Sequence, residues 1–243
     1  MRVERVRVER RRWYALGMRH AVIFDMDGVL VDSYQAHLES WQALAAEHGR
    51  SFTEEEFARS FGRTSRDIIQ SLWQGLAVHD ADVRRMDERK EGLFRQRLAR
   101  HFPAMDGVPD LLVSLHAAGF RLAVGSSGPP ENVDLVLDRL GARALFDAVV
   151  NGTDIERGKP DPQVFLLAAD RLGVPPANCV VVEDAPAGIE AATRAGMRSV
   201  ALLSTGRRAE DFQHVAPTLM VASLRELTPK ALAAILKRSD ARD

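Results

Sequence analysis

The strongest constraint on the fold is a set of short apolar runs, Val22-Ile23-Phe24, Leu122-Ala123-Val124 and Cys179-Val180-Val181-Val182, separated by longer stretches of helical periodicity. A strand without polar alternation is buried on both faces, and such strands joined through helices form a parallel sheet covered on both sides. From Asp106 the alternation is regular. A helix is expected at 108–118, ended by Gly119, then a strand at 121–124 running into Gly125-Ser126-Ser127-Gly128. Pro129-Pro130 opens a helix at 131–140 that Gly141 ends. A short strand at 149–150, a helix at 163–172, a strand at 179–182, a helix at 187–195, a strand at 199–202 and a last strand and helix complete the pattern.

The stretch 34–103 breaks this order. Leu38, Trp41, Leu44 and Ala45 recur at helical spacing, and Gly49 stops the run. Thr53 followed by Glu56 forms a capping box for a second helix. After a turn at 61–65, Ile68, Ile69 and Leu72 mark a third helix, and Met86, Leu93, Phe94 and Leu98 a fourth. A purely helical insert after the first strand cannot continue a sheet, so it is expected to be a smaller module, with 18–33 and 104–243 making the core. Its charge runs, Arg84-Arg85 and Glu88-Arg89-Lys90-Glu91, read as a solvated helix face.

In 243 residues, 33 basic side chains stand against 34 acidic ones, so no global field marks a nucleic-acid or membrane binder. A small-molecule substrate and a monomer or weak dimer are expected. The one cysteine, Cys179, lies in an apolar run and reads as a small buried hydrophobe, which suits a reducing, cytoplasmic setting. Residues 1–17 are arginine-rich, lack the apolar core of a secretion signal and carry Glu4 and Glu9. They read as a poorly ordered extension, or an over-long reading frame ahead of a start near Met18.

The chemistry-bearing residues gather where the predicted strands end. The first apolar run ends on Asp25-Met26-Asp27-Gly28, two carboxylates one residue apart that alternation would turn to the same side. Two anions that close stay charged only with a cation between them. A calcium loop of the helix-loop-helix kind places its glycine later, after a third ligand, and ends on glutamate, so Gly28 excludes it. Ser126, Lys159 and the pair Glu183-Asp184 fall at the same edge, where ligands of parallel sheets bind. Taken singly, each has a plain structural role, as a turn cap, a surface lysine or a helix cap. Together they supply an anionic nucleophile, donors for phosphoryl oxygens and a positive group, which is the equipment of phosphoryl transfer. Oxygen ligands without a His or Cys cluster suit Mg²⁺ rather than zinc. The segment from Gly152 to Lys159 is not a phosphate-binding P-loop, since its glycine spacing is one residue too long and proline follows the lysine.

These motifs, Asp25-Met26-Asp27-Gly28-Val29-Leu30-Val31-Asp32-Ser33, Gly125-Ser126-Ser127-Gly128, Gly158-Lys159-Pro160-Asp161-Pro162 and Val182-Glu183-Asp184-Ala185-Pro186-Ala187-Gly188, resemble those of the haloacid dehalogenase superfamily, in the branch with a helical cap inserted after the first motif. The resemblance runs from about His20 to the C-terminus. It implies an α/β fold, a three-layer Rossmann-like parallel sheet core with an inserted all-α cap. It also implies Asp25 as nucleophile, Asp27 as general acid and base, Ser126 as a phosphate donor and Lys159 as the bridge between nucleophile and phosphate. Mg²⁺ would be held by Asp25, Asp184 and the Asp27 backbone carbonyl, with Glu183 helping directly or through water. Ser127, His37, Arg63 and Lys90 are the candidate substrate contacts. The second aspartate favours phosphate chemistry over dehalogenation.

The resemblance implies a phosphatase acting on a small phosphorylated metabolite, a sugar or polyol phosphate. His37, Trp41 and Lys90 resemble cap and hinge residues of β-phosphoglucomutases, which keeps a phosphomutase as the alternative. The mutase cap loop reads Gly-Val-Ser-Arg, whereas Gly62-Arg63-Thr64-Ser65-Arg66 sets its arginines off that register. A catalytically inactive binding module is the remote third reading, against which Asp25, Asp27, Lys159 and Asp184 all stand.

Overall fold

The computed structural model describes residues 20–60, 65–72 and 79–237, with Leu72 by its backbone alone. The expectations for 1–17 and for the turn at 61–64 lie outside the described residues. Six strands, β1 (Ala21–Phe24), β2 (Arg121–Gly125), β3 (Ala148–Val150), β4 (Cys179–Glu183), β5 (Arg198–Leu202) and β6 (Leu219–Val221), form one sheet in the order β3-β2-β1-β4-β5-β6. Every pairing is parallel. The expected strands are all present, and each end lies within a residue or so of its predicted place.

The helices, in chain order among the described residues, are α1 (Tyr34–Glu47), α2 (Glu54–Ser60), α3 (Ser65–Leu72), α4 (Asp80–Arg100), α5 (Val108–Ala117), α6 (Pro130–Leu140), α7 (Gln163–Leu172), α8 (Pro186–Arg194) and α9 (Pro229–Lys237). Their ends follow local chemistry. Proline stands in the first turn of α5, α6 and α8, where a missing N–H is no loss. The Thr53 hydroxyl accepts from the Glu56 N–H while the Glu56 carboxylate accepts from the Thr53 N–H, closing the predicted capping box at α2.

Strand alternation sorts the core into two layers. Val22, Phe24, Leu122, Val124, Val180 and Val182 pack with α5, α6 and α9 on one face. Ala21, Ile23, Ala123, Cys179 and Val181 pack with α7 and α8 on the other. Cys179 is fully buried, and burial pushes its thiol up to about 12, so it behaves as the small hydrophobe expected. Strand β1 lies at the centre, with β2 on one side and β4 on the other. The chain reverses its direction of travel across the sheet there, leaving a crevice beyond the carboxyl ends of β1 and β4.

Helices α1 to α4 form the insert. Leu38, Trp41, Leu44, Phe52, Phe57, Ile68, Ile69, Val83, Met86 and Leu93 make a hydrophobic cluster of their own. Helix α4 crosses from this cluster into the core, where Phe94 and Leu98 are embedded. The crossing carries a polar joint. Glu91, 7 % exposed, accepts from Lys90 Nζ at 2.8 Å, from the Ser65 hydroxyl at 2.6 Å and from Asn132 Nδ2 on α6 at 2.7 Å. Arg95 donates to Asn132 Oδ1 at 2.9 Å. The charge run containing these residues is therefore not one solvated face. Arg84, Arg85, Glu88 and Arg89 are exposed, but Lys90 and Glu91 are buried, because the helix turns that side toward both clusters.

Burial alone would raise the Glu91 carboxyl, but Lys90, His37 and the Ser65 hydroxyl outweigh it and hold it down to about 2, against an ordinary value of 4.5. A carboxyl depressed on folding stabilises above its unfolded value and loses that contribution as pH falls through its folded value. Urea unfolding at a series of pH values should therefore find Glu91→Gln less stable than the native chain by about 3 kcal/mol above pH 5, with the gap closing toward pH 2. A gap independent of pH would contradict this account.

Candidate active site

Strand β1 ends at Phe24, and the Asp25 N–H donates to the Val182 carbonyl at 3.0 Å, prolonging the ladder by one residue. The parallel register pairs Phe24 with Val182, so Asp25 arrives beside Glu183 at the end of β4. Lys159, from the loop between β3 and α7, lies between them, its Nζ 2.7 Å from Asp25 Oδ1 and 2.6 Å from Glu183 Oε1. Glu183 Oε2 accepts from the Ala185 N–H at 2.7 Å. Asp184 Oδ2 accepts from the Thr205 hydroxyl at 2.9 Å. Two glycines make room for these carboxylates. A Cβ at Gly28, where φ is 71°, would fall onto the Asp184 carboxylate, and one at Gly188 onto that of Glu183.

Ligand oxygens of Asp25, Glu183 and Asp184 lie within 4.8 Å of one another. The Lys159 ammonium meets two of these three buried carboxylates, Asp25 and Glu183. Burial pushes the Asp25 carboxyl up to about 7, with Glu183 and Asp27 adding to the rise and Lys159 opposing it. Burial and the same neighbours hold Asp184 well above the usual carboxylate range, and Thr205 and Arg207 only partly counter them. For Lys159, burial favours the neutral amine, but Asp25 and Glu183 overcome it and keep the ammonium charged. The surplus of negative charge and the all-oxygen donor set fit a hard divalent cation such as Mg²⁺.

Asp27 lies apart from this cluster. After Asp25 the chain turns, with the Leu30 N–H donating to the Met26 carbonyl at 2.8 Å. Asp27 Oδ1 accepts from the Ser33 hydroxyl at 2.6 Å and meets His37 Nε2 at 3.2 Å. The expectation that alternation turns the two carboxylates to the same side is corrected here. The turn sends the Asp27 carboxylate toward α1, where it meets the Ser33 hydroxyl and His37 Nε2. Burial works against its ionisation, yet His37 and the Ser33 hydroxyl hold it below the usual range.

His37 continues the polar chain. Lys90 Nζ lies 2.8 Å from His37 Nδ1, and the imidazole stacks on Phe94 with centroids 4.0 Å apart. Lys90, 2 % exposed, also sits 5.4 Å from the ring centroids of Trp41 and Phe94. Trp41 is at once a buried core residue of the insert and a wall of the cleft.

Ser126 follows β2, and its N–H donates to the Val150 carbonyl at 3.0 Å. Its buried hydroxyl accepts from the Gly128 N–H at 3.0 Å, the turn-cap role, while the residue also borders the cleft. Asp25, Asp27, Ser126, Ser127, Lys159, Glu183, Asp184, His37 and Lys90 all line one cleft of about 990 Å³ between the insert and the sheet edge. Arg63 lies outside the described residues. Sequence reasoning missed Glu91, Asn132, Asp87, Thr205 and Arg207 at or beside this cleft. Only Thr205 left a trace, in the Ser204-Thr205-Gly206 turn one residue beyond β5, where it adopts a positive φ of 51°.

The chain is 34 % identical over 183 residues to a phosphorylated carbohydrates phosphatase from Thermotoga maritima, covering 74 % of this chain and 83 % of the relative. It is 32 % identical over 186 residues to the β-phosphoglucomutase of Bacillus subtilis, covering 74 % and 81 %. The solved structure of β-phosphoglucomutase from Clostridium difficile has a TM-score of 0.80 at 26 % identity, covering 90 % of this chain and 97 % of that one. The haloacid dehalogenase-like hydrolase profile matches residues 20–196, across both the insert and the charged sheet edge. This chain belongs to the haloacid dehalogenase-like hydrolases.

Proposed function

We propose that the protein is a Mg²⁺-dependent phosphatase that hydrolyses a small sugar or polyol phosphate through an aspartyl-phosphate on Asp25. The observation that carries this reading is the separation of the two aspartates, one against Lys159 in an anionic cluster, the other in its own hydrogen-bonded setting. An Asp25 oxygen attacks phosphorus, the ester P–O bond breaks, and the leaving oxygen takes a proton from Asp27. Water then gives its proton to Asp27 and attacks the phosphoryl group, releasing phosphate and restoring the Asp25 carboxylate. The charge of a bound phosphate beside Asp27 raises its affinity for the proton this cycle needs. Lys159 and the donors around Ser126 and Ser127 meet the phosphoryl oxygens. Asp25, Glu183, Asp184 and the Asp27 carbonyl would hold Mg²⁺, which when bound offsets negative charge at the reacting phosphate.

A relative named for phosphorylated carbohydrates supports the substrate class. The second reading, a phosphomutase, is favoured by His37 and Lys90 in the cleft beside Trp41, together with the mutase relatives. A mutase must grip a second phosphate in the cap and exclude water while it reorients, and the off-register arginines of 62–66 favour hydrolysis instead.

Asp25→Asn should bring hydrolysis of p-nitrophenyl phosphate to background in a chain that still folds, as read by circular dichroism, since the amide matches the carboxylate in size but cannot attack phosphorus. Asp27→Asn should lower turnover about 10²- to 10⁴-fold, the usual worth of general acid–base catalysis. Failure to trap a phosphoenzyme in either protein would count against the covalent step. EDTA should abolish activity and lower the melting temperature, and added Mg²⁺ should restore both. Full activity in the chelated enzyme would contradict the metal reading. With β-glucose 1-phosphate and a trace of the 1,6-bisphosphate, free phosphate should appear faster than glucose 6-phosphate, and the reverse order would make the protein a mutase.

A further inference from the structure

Asp27 is reached by a continuous polar chain that begins in the core, crosses the insert and returns to the core. Asn132 on α6 donates to Glu91, Glu91 accepts from Lys90, Lys90 meets His37 Nδ1, and His37 Nε2 meets Asp27 Oδ1. We infer that Glu91 is a positioning residue for the acid–base step, fixing Lys90 and through it the ring and tautomer of His37 against Asp27, and doing so only while the insert is seated on the core. The inference rests on the reading of Asp27 as general acid and base.

The directions of the bonds follow from what each group can do. An ammonium has only donors, so Lys90 must donate to His37 Nδ1, which leaves the ring proton on Nε2, facing the Asp27 carboxylate. Lys90 can keep that aim because its remaining protons are taken up by Glu91 and by the faces of Trp41 and Phe94. Glu91 is itself held from two sides, by Ser65 of α3 in the insert and by Asn132 of the core. Arg95 orients Asn132 by donating to its Oδ1, so that Nδ2 faces Glu91. Separating the insert from the core would remove Asn132 from Glu91 and slacken every later link. Direct contact between Glu91 and substrate is the rival role, since Glu91 and Asn132 also border the cleft.

The test uses the full-length protein with Mg²⁺ and p-nitrophenyl phosphate, comparing the native chain, Glu91→Gln, Asn132→Ala and the double variant. Positioning predicts kcat lower by about 10- to 100-fold in each single variant, the effect of a small misplacement of a catalytic group, with KM changed less than about threefold. The double variant should be no worse than the poorer single one, because both substitutions break one chain. A rise in KM with kcat unchanged, or losses that multiply, would overturn the inference. Imidazole ¹⁵N spectra give a readout independent of turnover. The His37 signals, assigned by their loss in His37→Asn, should report the Nε2–H tautomer in the native chain and a tautomer mixture in Asn132→Ala, the milder of the two substitutions. Native-like His37 signals in that variant would also overturn it. Should Asp27→Asn retain native turnover, the acid–base reading falls while these spectra still decide whether Glu91 and Asn132 position His37.

Discussion

The structure is organised around an excess of negative charge that the sheet itself creates. Parallel pairing of β1 with β4 places Asp25 beside Glu183, and Asp184 follows at once, all three buried. An apolar sheet edge would avoid this repulsion. The surroundings moderate it instead, through the Lys159 ammonium, the Ala185 N–H and the Thr205 hydroxyl, and two glycines keep the space open. Lys159 meets two of the three carboxylates and Arg207 only partly offsets the third, which leaves the site short of positive charge. That shortage suits the site to a cation.

The same charge balance separates the two aspartates of the first motif. Asp25 stands among anions and is pushed up, whereas Asp27, two residues on, meets His37 and Ser33 and is held down. Residues of one chemical type two positions apart thus hold their protons with very different strength. A single turn does this, because the strand stops at Phe24 and the backbone folds back on Met26 before Asp27 can join the cluster.

The core was legible in the sequence because its strands are buried on both faces and their helices are bounded by proline and glycine, signals that depend on neighbours in the chain. The carboxylates and Lys159 were legible because each sits directly after a strand or in a loop at the same edge. Position in the topology was enough to bring them together. Glu91 and Asn132 were not legible. Each lies on a helix among other polar residues, and nothing local distinguishes Glu91 from its exposed neighbour Glu88. The difference arises from α6 packing against α4, a contact between residues 41 positions apart. The split between Asp25 and Asp27 was hidden for a related reason, since alternation applies only while the chain remains a strand.

Helix α4 then has a composition that stability alone does not explain. Its first half packs in the insert and its second half in the core, and at the crossing it buries a lysine and a glutamate side by side. Well-packed apolar side chains of similar volume would hold such a joint at least as firmly, because a buried ion pair recovers little more than the desolvation it requires. What apolar side chains cannot do is accept from Asn132 at one end and donate to an imidazole at the other. The ion pair at this crossing instead links a docking contact on α6 to the imidazole that meets Asp27.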